Sequence, residues 1–142
     1  MAIHYYEVET AARLKNKRRL SVFLNDLVKQ YLRVHKTDLS YIFCSDEYLL
    51  QKNQEFLNHD TLTDIITFDL SENESELIGE IYISVDRVRE NAEKFSIDYN
   101  NELHRVIFHG ALHLCGFKDK KRDDKSKMTA MENTCLQQYF TA

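Results

Sequence analysis

The sequence predicts an α+β domain in which a small mixed β-sheet of about four strands is covered by helices. Segments that alternate apolar and polar residues predict strands, and apolar residues at helical spacing predict helices. These segments follow one another in the order β-α-β-α-β-β-α-α-α. The 142 residues include 43% hydrophobic residues, no proline, no internal repeat and no low-complexity tract. We therefore expect one domain spanning residues 1–142.

The first part of the chain alternates strands and helices. "IHYYEVE" (3–9) has the two-residue period of a strand, and the apolar residues between Leu20 and Leu32 recur at helical spacing. "LSYIFCS" (39–45) predicts the next strand, and "DEYLLQKNQEFL" (46–57) predicts a helix.

The second part begins with two more strands. "TDIITFDL" (63–70) and "LIGEIYISV" (77–85) are separated by "SENESE" (71–76), which predicts a hairpin or a connecting loop. "DRVRENAEKF" (86–95) predicts a helix, and two further helices are expected to close the chain.

The first of these closing helices is expected to start near Asn100 or Asn101, both good N-cap residues, and to end at Gly116. Its apolar residues cover most of its circumference, which is typical of a buried helix. His109 and His113 are one turn apart on it, so both imidazoles would face the same way. The helix is therefore expected to carry two histidines that are largely shielded from solvent.

Composition excludes several classes of protein. The three cysteines, Cys44, Cys115 and Cys135, are too few and too scattered for a disulfide framework or a cysteine-only zinc site, and they are expected to pack in the core. The N-terminal residues do not form the apolar run of a signal peptide, and no stretch approaches the roughly 18 apolar residues of a membrane span. We expect a cytoplasmic protein that does not bind membranes. The sequence leaves the oligomeric state open.

Charge is distributed unevenly along the chain. The net charge is −4, yet "RLKNKRR" (13–19) carries five basic residues and "KDKKR" (118–122) forms a second basic run. Basic runs attract phosphates, although a solvated surface is the alternative for each run. The second run directly follows the histidines. Its residues are therefore the candidate phosphate-binding side chains: Lys118, Lys120, Lys121 and Arg122.

The stretch "HGALHLCGFKDK" (109–120) contains the strongest chemical signal. Two histidines four residues apart on a helix can bind one metal ion, although this spacing alone is a weak signal. The chain can fold back after Gly116 and supply a third ligand. Zinc peptidases place a glutamate directly after the first histidine, where this chain has Gly110, so peptidase chemistry of that type is not expected.

The same stretch resembles the motif His-Gly-x-Leu-His-Leu-x-Gly-Tyr-Asp-His of the YbeY family of rRNA maturation endoribonucleases. The resemblance extends to "TDIITFDL" and to "IGEIYISVDRVRENAEKF" (78–95), and covers roughly Asp46 to Lys120. It implies a single α+β domain, one zinc ion and metal-dependent hydrolysis of RNA. The implied role is maturation of the 3′ end of the small-subunit rRNA and ribosome quality control, with rRNA and the small subunit as partners.

Two positions depart from the YbeY motif. The third zinc-binding histidine of the family falls at Asp119, so the implied zinc ligands are His109, His113 and Asp119. Aspartate is a legitimate zinc ligand, and three protein ligands leave a position for water. Leu57 stands where the family usually has an arginine that contacts RNA phosphate, so the catalytic residues other than the zinc-bound water are unknown. Asp123 and Asp124 are the rival third ligands, but are expected to cap the last helix.

Three functional hypotheses remain. The first is a zinc-dependent endoribonuclease that acts in rRNA maturation. The second is a ribosome-associated RNA-binding factor whose zinc is structural, and the third is a metallohydrolase of small molecules. Structural zinc normally has four protein ligands, whereas the motif implies three, which favours the endoribonuclease.

Overall fold

The structure, a computed structural model, describes residues 2–57 and 63–141, and these form a four-stranded sheet with five α-helices. The strands are β1 (Ala2–Val8), β2 (Lys36–Cys44), β3 (Ile65–Asp69) and β4 (Glu76–Ser84). The helices are α1 (Lys17–Tyr31), α2 (Asp46–Leu57), α3 (Val85–Lys94), α4 (Tyr99–Leu114) and α5 (Arg122–Thr141). The α+β prediction and the predicted element order are confirmed. No helix of the described residues is long and apolar enough to cross a membrane.

The sheet is mixed. Its strand order is β1-β2-β4-β3, with β1, β2 and β4 parallel and β3 antiparallel to β4. Parallel neighbours need a crossover connection. The connection from β1 to β2 contains α1, and the connection from β2 to β4 contains α2. The antiparallel strands β3 and β4 are joined by the short "SENESE" segment. The antiparallel strand β3 lies at one edge of the sheet, and β1 lies at the other.

The two faces of the sheet are covered differently because successive side chains of a strand point to opposite faces. In β2, Leu39, Tyr41 and Phe43 join the main core with residues of α1, α4 and α5. Ile42 and Cys44 belong to a smaller cluster with Leu49 of α2 on the other face. Val85 and Val88 of α3 also belong to the main core, which therefore lies between the sheet and four helices.

Helix α4 is the central helix. It contacts α1, α3, α5, β3 and β4, and most of its side chains are buried. The prediction of a buried helix is confirmed, but its predicted start is wrong by two or three residues. The N-cap is Asp98, whose carboxylate accepts a hydrogen bond from the backbone N–H of Asn101 at 3.3 Å. The earlier start includes Tyr99, whose hydroxyl donates to the carbonyl oxygen of Ala12 at 2.7 Å.

Helix α4 ends at the predicted glycine. Gly116 has φ of +106°, and its N–H donates to the carbonyl of His113 at 3.0 Å. The N–H of Phe117 donates to the carbonyl of Leu112 at 3.2 Å, which completes a Schellman motif. The chain reverses here as expected and returns towards the histidines.

Helix α5 begins earlier than predicted. It starts at Arg122, so Asp123 and Asp124 lie inside its first turn and do not act as N-cap residues. Their negative charges still stabilise the helix N-terminus through the helix dipole. The cysteines pack as expected: Cys44 and Cys135 are buried, and Cys115 is half-buried against the main core.

The first basic run spans the start of α1. Arg19 is structural: its guanidinium lies 4.3 Å from the ring centroid of Tyr139 and donates to the carbonyl oxygen of the same residue. It therefore ties α1 to α5. The other basic residues of this run are exposed: Arg13, Lys15, Lys17 and Arg18.

Gly110 allows α4 to approach the sheet closely. A Cβ atom at this position would lie 2.8 Å from Cγ2 of Ile81 on β4 and 3.0 Å from Cδ1 of Ile65 on β3. The residue after His109 therefore faces the sheet and is buried.

We expect Gly110→Ala to destabilise the protein despite the better helix propensity of alanine. Overpacking costs about 1–3 kcal/mol, whereas alanine gains about 1 kcal/mol over glycine in a helix, so the net loss should be on the order of 1 kcal/mol. Urea unfolding measures it. Ile65→Val removes one of the crowding methyl groups and is the matched background, in which Gly110→Ala should cost less. Equal or greater stability of Gly110→Ala in the native background would contradict this account of the packing.

Candidate metal centre

One line of polar side chains interrupts the buried surface of α4. Glu102, Arg105, His109 and His113 follow one another at intervals of three and four residues, which places them on one side of the helix. They line a cavity of about 650 Å³. The cavity is completed by Asn53 of α2, by residues 63–67 at and before β3, by Asp119 and Lys120 after the glycine turn, and by Glu132 of α5.

His109 lies between two carboxylates. Its Nδ1 is 2.6 Å from Oε2 of Glu132, and its Nε2 is 3.1 Å from Oδ2 of Asp119. Glu132 is buried, whereas the side chain of Asp119 is 37% exposed. The contact to Glu132 is therefore the better shielded of the two.

His113 lies one turn further along the helix. Its ring is nearly parallel to that of His109, with 6.4 Å between the ring centroids. Its Nδ1 is 3.1 Å from the carbonyl oxygen of Phe117, which the Schellman turn brings back over the last turn of α4. A backbone carbonyl can only accept, so this contact places the proton of a neutral His113 on Nδ1.

Arg105 holds the second oxygen of Glu132. Its Nη1 donates to Oε1 of Glu132 at 2.9 Å, and its Nη2 donates to Oδ1 of Asn133 at 2.5 Å. The carboxylate of Glu132 thus has a separate partner for each oxygen, Arg105 for one and His109 for the other. This arrangement compensates a negative charge that burial would otherwise disfavour.

Burial and charge shift the pKa values of the site. Burial lowers the pKa of His109, but the hydrogen bond to Glu132 and the charges of Glu132, Asp119 and Asp64 together raise it above its ordinary value. Burial raises the pKa of Asp64 and of Glu102, although His109 opposes the first shift and Arg105 opposes the second. A carboxyl group whose pKa moves towards neutral is better suited to exchanging protons.

The donor set is compatible with zinc, although the side chains are not arranged as a metal site. No three His, Cys, Asp or Glu side chains within residues 2–57 and 63–141 could hold an ion as they stand. Both histidines nevertheless have an acceptor at Nδ1, the arrangement that leaves Nε2 free to bind a metal. Two ligands of a tetrahedral zinc ion lie about 3.3 Å apart. The 3.1 Å between His109 Nε2 and Asp119 Oδ2 is close to that separation.

The structure brings some of the predicted site residues together and separates others. His109, His113, Asp119 and Lys120 line the same cavity. Lys118 lines a different cavity of about 250 Å³, together with Asp124.

The remaining predicted residues lie elsewhere. Lys121 and Arg122 are exposed, and Asp123 is exposed on the first turn of α5. Leu57 is the last residue of α2, and its side chain lies outside the part of the chain that the structure describes.

Sequence reasoning missed Glu102, Arg105 and Glu132. The first two carry a usable signal, since they share the spacing of His109 and His113 along one side of an otherwise apolar helix. Glu132 carries no comparable signal, because it lies on a different helix, 23 residues after His109.

Comparison with known proteins identifies the family. The family model described as Endoribonuclease YbeY matches residues 5–140. The protein named Endoribonuclease YbeY from Cytophaga hutchinsonii is 45% identical over 134 residues, which cover 94% of this chain and 93% of the relative. The protein of the same name from Parabacteroides distasonis is 46% identical over 137 residues, which cover 96% of this chain and 94% of the relative. The chain belongs to the YbeY family.

A solved structure supports the fold. The solution structure of a Thermotoga maritima protein aligns with a TM-score of 0.66 at 26% identity, over 98% of this chain and 89% of that chain. The resemblance to the YbeY family that the motif implied is confirmed. The family match includes the whole cavity, because its residues lie between Asn53 and Glu132.

We expect His109 to make the metal-free protein less stable as pH rises. Its pKa is higher in the folded protein than in the unfolded chain, so protonation favours folding. This stabilisation is fully present below the unfolded pKa of about 6.5 and is lost as pH rises through the raised pKa. The measurement is the free energy of unfolding in urea across this window, for the native protein and for His109→Gln.

The difference between the two proteins isolates His109 from other groups. Burial lowers the pKa of His104, so its contribution has the opposite sign, but it is the same in both proteins and cancels. A difference that does not change with pH would contradict the raised pKa of His109.

Proposed function

We propose that this chain is a zinc-dependent endoribonuclease that cleaves RNA during maturation of the small-subunit rRNA 3′ end. The observation that carries the proposal is His109, whose Nδ1 contacts Glu132 while its Nε2 faces Asp119 inside a cavity that His113 also lines. The relatives named endoribonucleases, which match over more than nine tenths of both chains, support RNA as the substrate.

His109, His113 and Asp119 are the proposed zinc ligands. Zinc with three protein ligands acidifies a bound water towards a pKa of about 7 and polarises a phosphoryl oxygen. The chain's contribution is to keep both Nδ1 atoms occupied, by Glu132 at one histidine and by the carbonyl of Phe117 at the other. Asp119 supplies a negative ligand in place of a neutral histidine, which lowers the charge of the site by one unit.

Two other groups in the cavity have roles in the proposal. Asp64 is the proposed proton-transfer group, because burial raises its pKa and it is near enough to His109 for their charges to interact. Lys120 is the proposed phosphate contact, because it lines the same cavity and is exposed. Arg105 is already bound to Glu132 and Asn133, so it is not assigned to the phosphate.

The test is cleavage of a rRNA fragment that contains the small-subunit 3′ end. Zinc-loaded protein should cut the RNA, and a chelator should stop the reaction. Asp119→Ala should lose most zinc and most activity, whereas Asp119→His should retain both. Asp123→Ala is the matched control, because this residue lies on α5 and does not line the histidine cavity, so it should retain zinc and activity.

Zinc content after dialysis and a melting curve accompany each activity measurement. A folded Asp119→Ala protein with full zinc content would show that the third ligand is another residue. Zinc-loaded native protein that cuts no more RNA than His113→Ala, yet binds small subunits, would favour the ribosome-associated binding factor. Hydrolysis of small phosphoesters with no cleavage of RNA would favour the small-molecule metallohydrolase.

The basic run 118–122 is expected to contribute to RNA affinity. Binding of its basic side chains to phosphates releases counterions from the RNA. When these side chains are neutralised, the logarithm of the RNA association constant should therefore depend less steeply on the logarithm of salt concentration. The loss is about 0.7 slope units for each single-strand phosphate contact. The variant replaces the four basic side chains with glutamine: Lys118, Lys120, Lys121 and Arg122.

A matched variant in the first basic run provides the control. Arg13→Gln, Lys15→Gln, Lys17→Gln and Arg18→Gln together neutralise four exposed residues and leave the structural Arg19 intact. Binding titrations at several salt concentrations compare the three proteins. If the salt dependence of RNA affinity becomes less steep in the control variant but not in the 118–122 variant, RNA binds at the start of α1 instead.

A further inference from the structure

Glu132 is buried and makes two different contacts. Its Oε2 is 2.6 Å from Nδ1 of His109, and its Oε1 accepts from Nη1 of Arg105 at 2.9 Å. We propose that Glu132 is a positioning residue that keeps the proton of neutral His109 on Nδ1, while Arg105 occupies the other oxygen of its carboxylate. The inference rests on the proposed function, because the position of the proton matters only if Nε2 binds a metal.

The tautomer of His109 decides whether it can act as a ligand. A neutral imidazole has one N–H donor and one acceptor nitrogen. With the proton on Nδ1, the ring donates to Glu132 and the lone pair of Nε2 remains available on the side of Asp119 and the cavity. With the proton on Nε2, the ring would donate to Asp119 at 3.1 Å, but its Nδ1 lone pair would face the buried carboxylate of Glu132 and no lone pair would remain for a metal.

Arg105 binds the oxygen of Glu132 that His109 does not contact. Its guanidinium is also bound to Asn133 of α5, so two neighbouring residues of that helix hold it. A guanidinium has only donors, so it always requires an acceptor oxygen at this position. Glu132 satisfies both neighbours because an ionised carboxylate has two acceptor oxygens.

This geometry makes a specific prediction for glutamine. Glu132→Gln preserves size but leaves one oxygen and one NH₂ group for two neighbours that both require an oxygen. The guanidinium cannot become an acceptor, whereas a neutral imidazole can, by moving its proton to Nε2. The glutamine oxygen should therefore face Arg105, and its NH₂ group should face Nδ1 of His109.

Removal of Arg105 should reverse this effect. In the double variant Arg105→Met with Glu132→Gln, the glutamine oxygen has no competing donor from Arg105 and can accept from Nδ1 of His109. Arg105→Met alone leaves both carboxylate oxygens available and should leave the proton on Nδ1. A residue that only stabilised the fold would produce losses that add, and not a recovery in the double variant.

The experiment compares four proteins: native, Glu132→Gln, Arg105→Met and the double variant. Long-range ¹H–¹⁵N NMR spectra of the metal-free proteins, at a pH where the imidazole is neutral, report which ring nitrogen of His109 carries the proton. Zinc affinity is measured by competition with a chromophoric chelator. We expect Glu132→Gln to move the proton to Nε2 and to weaken zinc binding about 10- to 100-fold, as is usual when a hydrogen-bond partner of a metal ligand is lost. The double variant should restore the proton to Nδ1 and recover part of the affinity.

His113 provides an internal control in every spectrum. Its Nδ1 contacts the backbone carbonyl of Phe117, which no variant removes, so its tautomer should not change. A parallel change at both histidines would indicate general loss of structure and would count against a specific role. An unchanged His109 tautomer and native zinc affinity in folded Glu132→Gln would overturn the proposal.

The outcomes also separate this proposal from the proposed function. If the native protein binds no zinc but Glu132→Gln still shifts the His109 proton, the positioning role stands and the proposed function fails. If zinc binding and RNA cleavage are normal in the native protein but Glu132→Gln changes neither tautomer nor affinity, the proposed function stands and the positioning role fails. Should Glu132→Gln not fold, the apolar pair Arg105→Met with Glu132→Met decides. This pair leaves no carboxylate at Nδ1, so the proposal requires the proton of neutral His109 to move to Nε2, where Asp119 lies 3.1 Å away.

Discussion

The rest of the structure depends on one constraint: α4 must pack on nearly every side and still present a line of polar side chains. Gly110 meets the first requirement, because the absence of a Cβ atom lets the helix approach Ile81 and Ile65 closely. His109 and His113 are directed away from that contact, towards the cavity. The functional candidates therefore lie on a rigid core helix, which limits how far the imidazoles can move.

The cavity contains more negative than positive groups among its described lining residues. Asp64, Glu102, Asp119 and Glu132 are opposed by Arg105 and Lys120. Such a site attracts a divalent cation but repels a phosphate. RNA binding at this place thus requires a bound cation, the nearby basic run, or both, which explains physically why metal and RNA are linked in the proposed function.

The turn after α4 has two structural consequences. Its Schellman hydrogen bonds satisfy the last carbonyls of the helix, and Gly116 adopts the positive φ that this requires. The same reversal places the carbonyl of Phe117 against His113 and brings Asp119 to His109. The glycine turn that the sequence predicts as the end of a helix therefore also positions the candidate ligands. The match to the YbeY family model spans this turn.

The sequence by itself determined the α+β class, the order of the elements, the burial of α4 and the glycine at its end, because these follow from apolar periodicity and local backbone preferences. It also indicated His109 and His113, which one turn of a helix brings together. Contacts between distant segments could not be read from local patterns. Only the tertiary structure shows that Glu132 contacts His109 and Arg105. It also shows that Lys120 lines the histidine cavity, whereas Lys118 lines a different cavity. The physical reason is that these positions depend on how α5 packs against α4, which no spacing within one segment encodes.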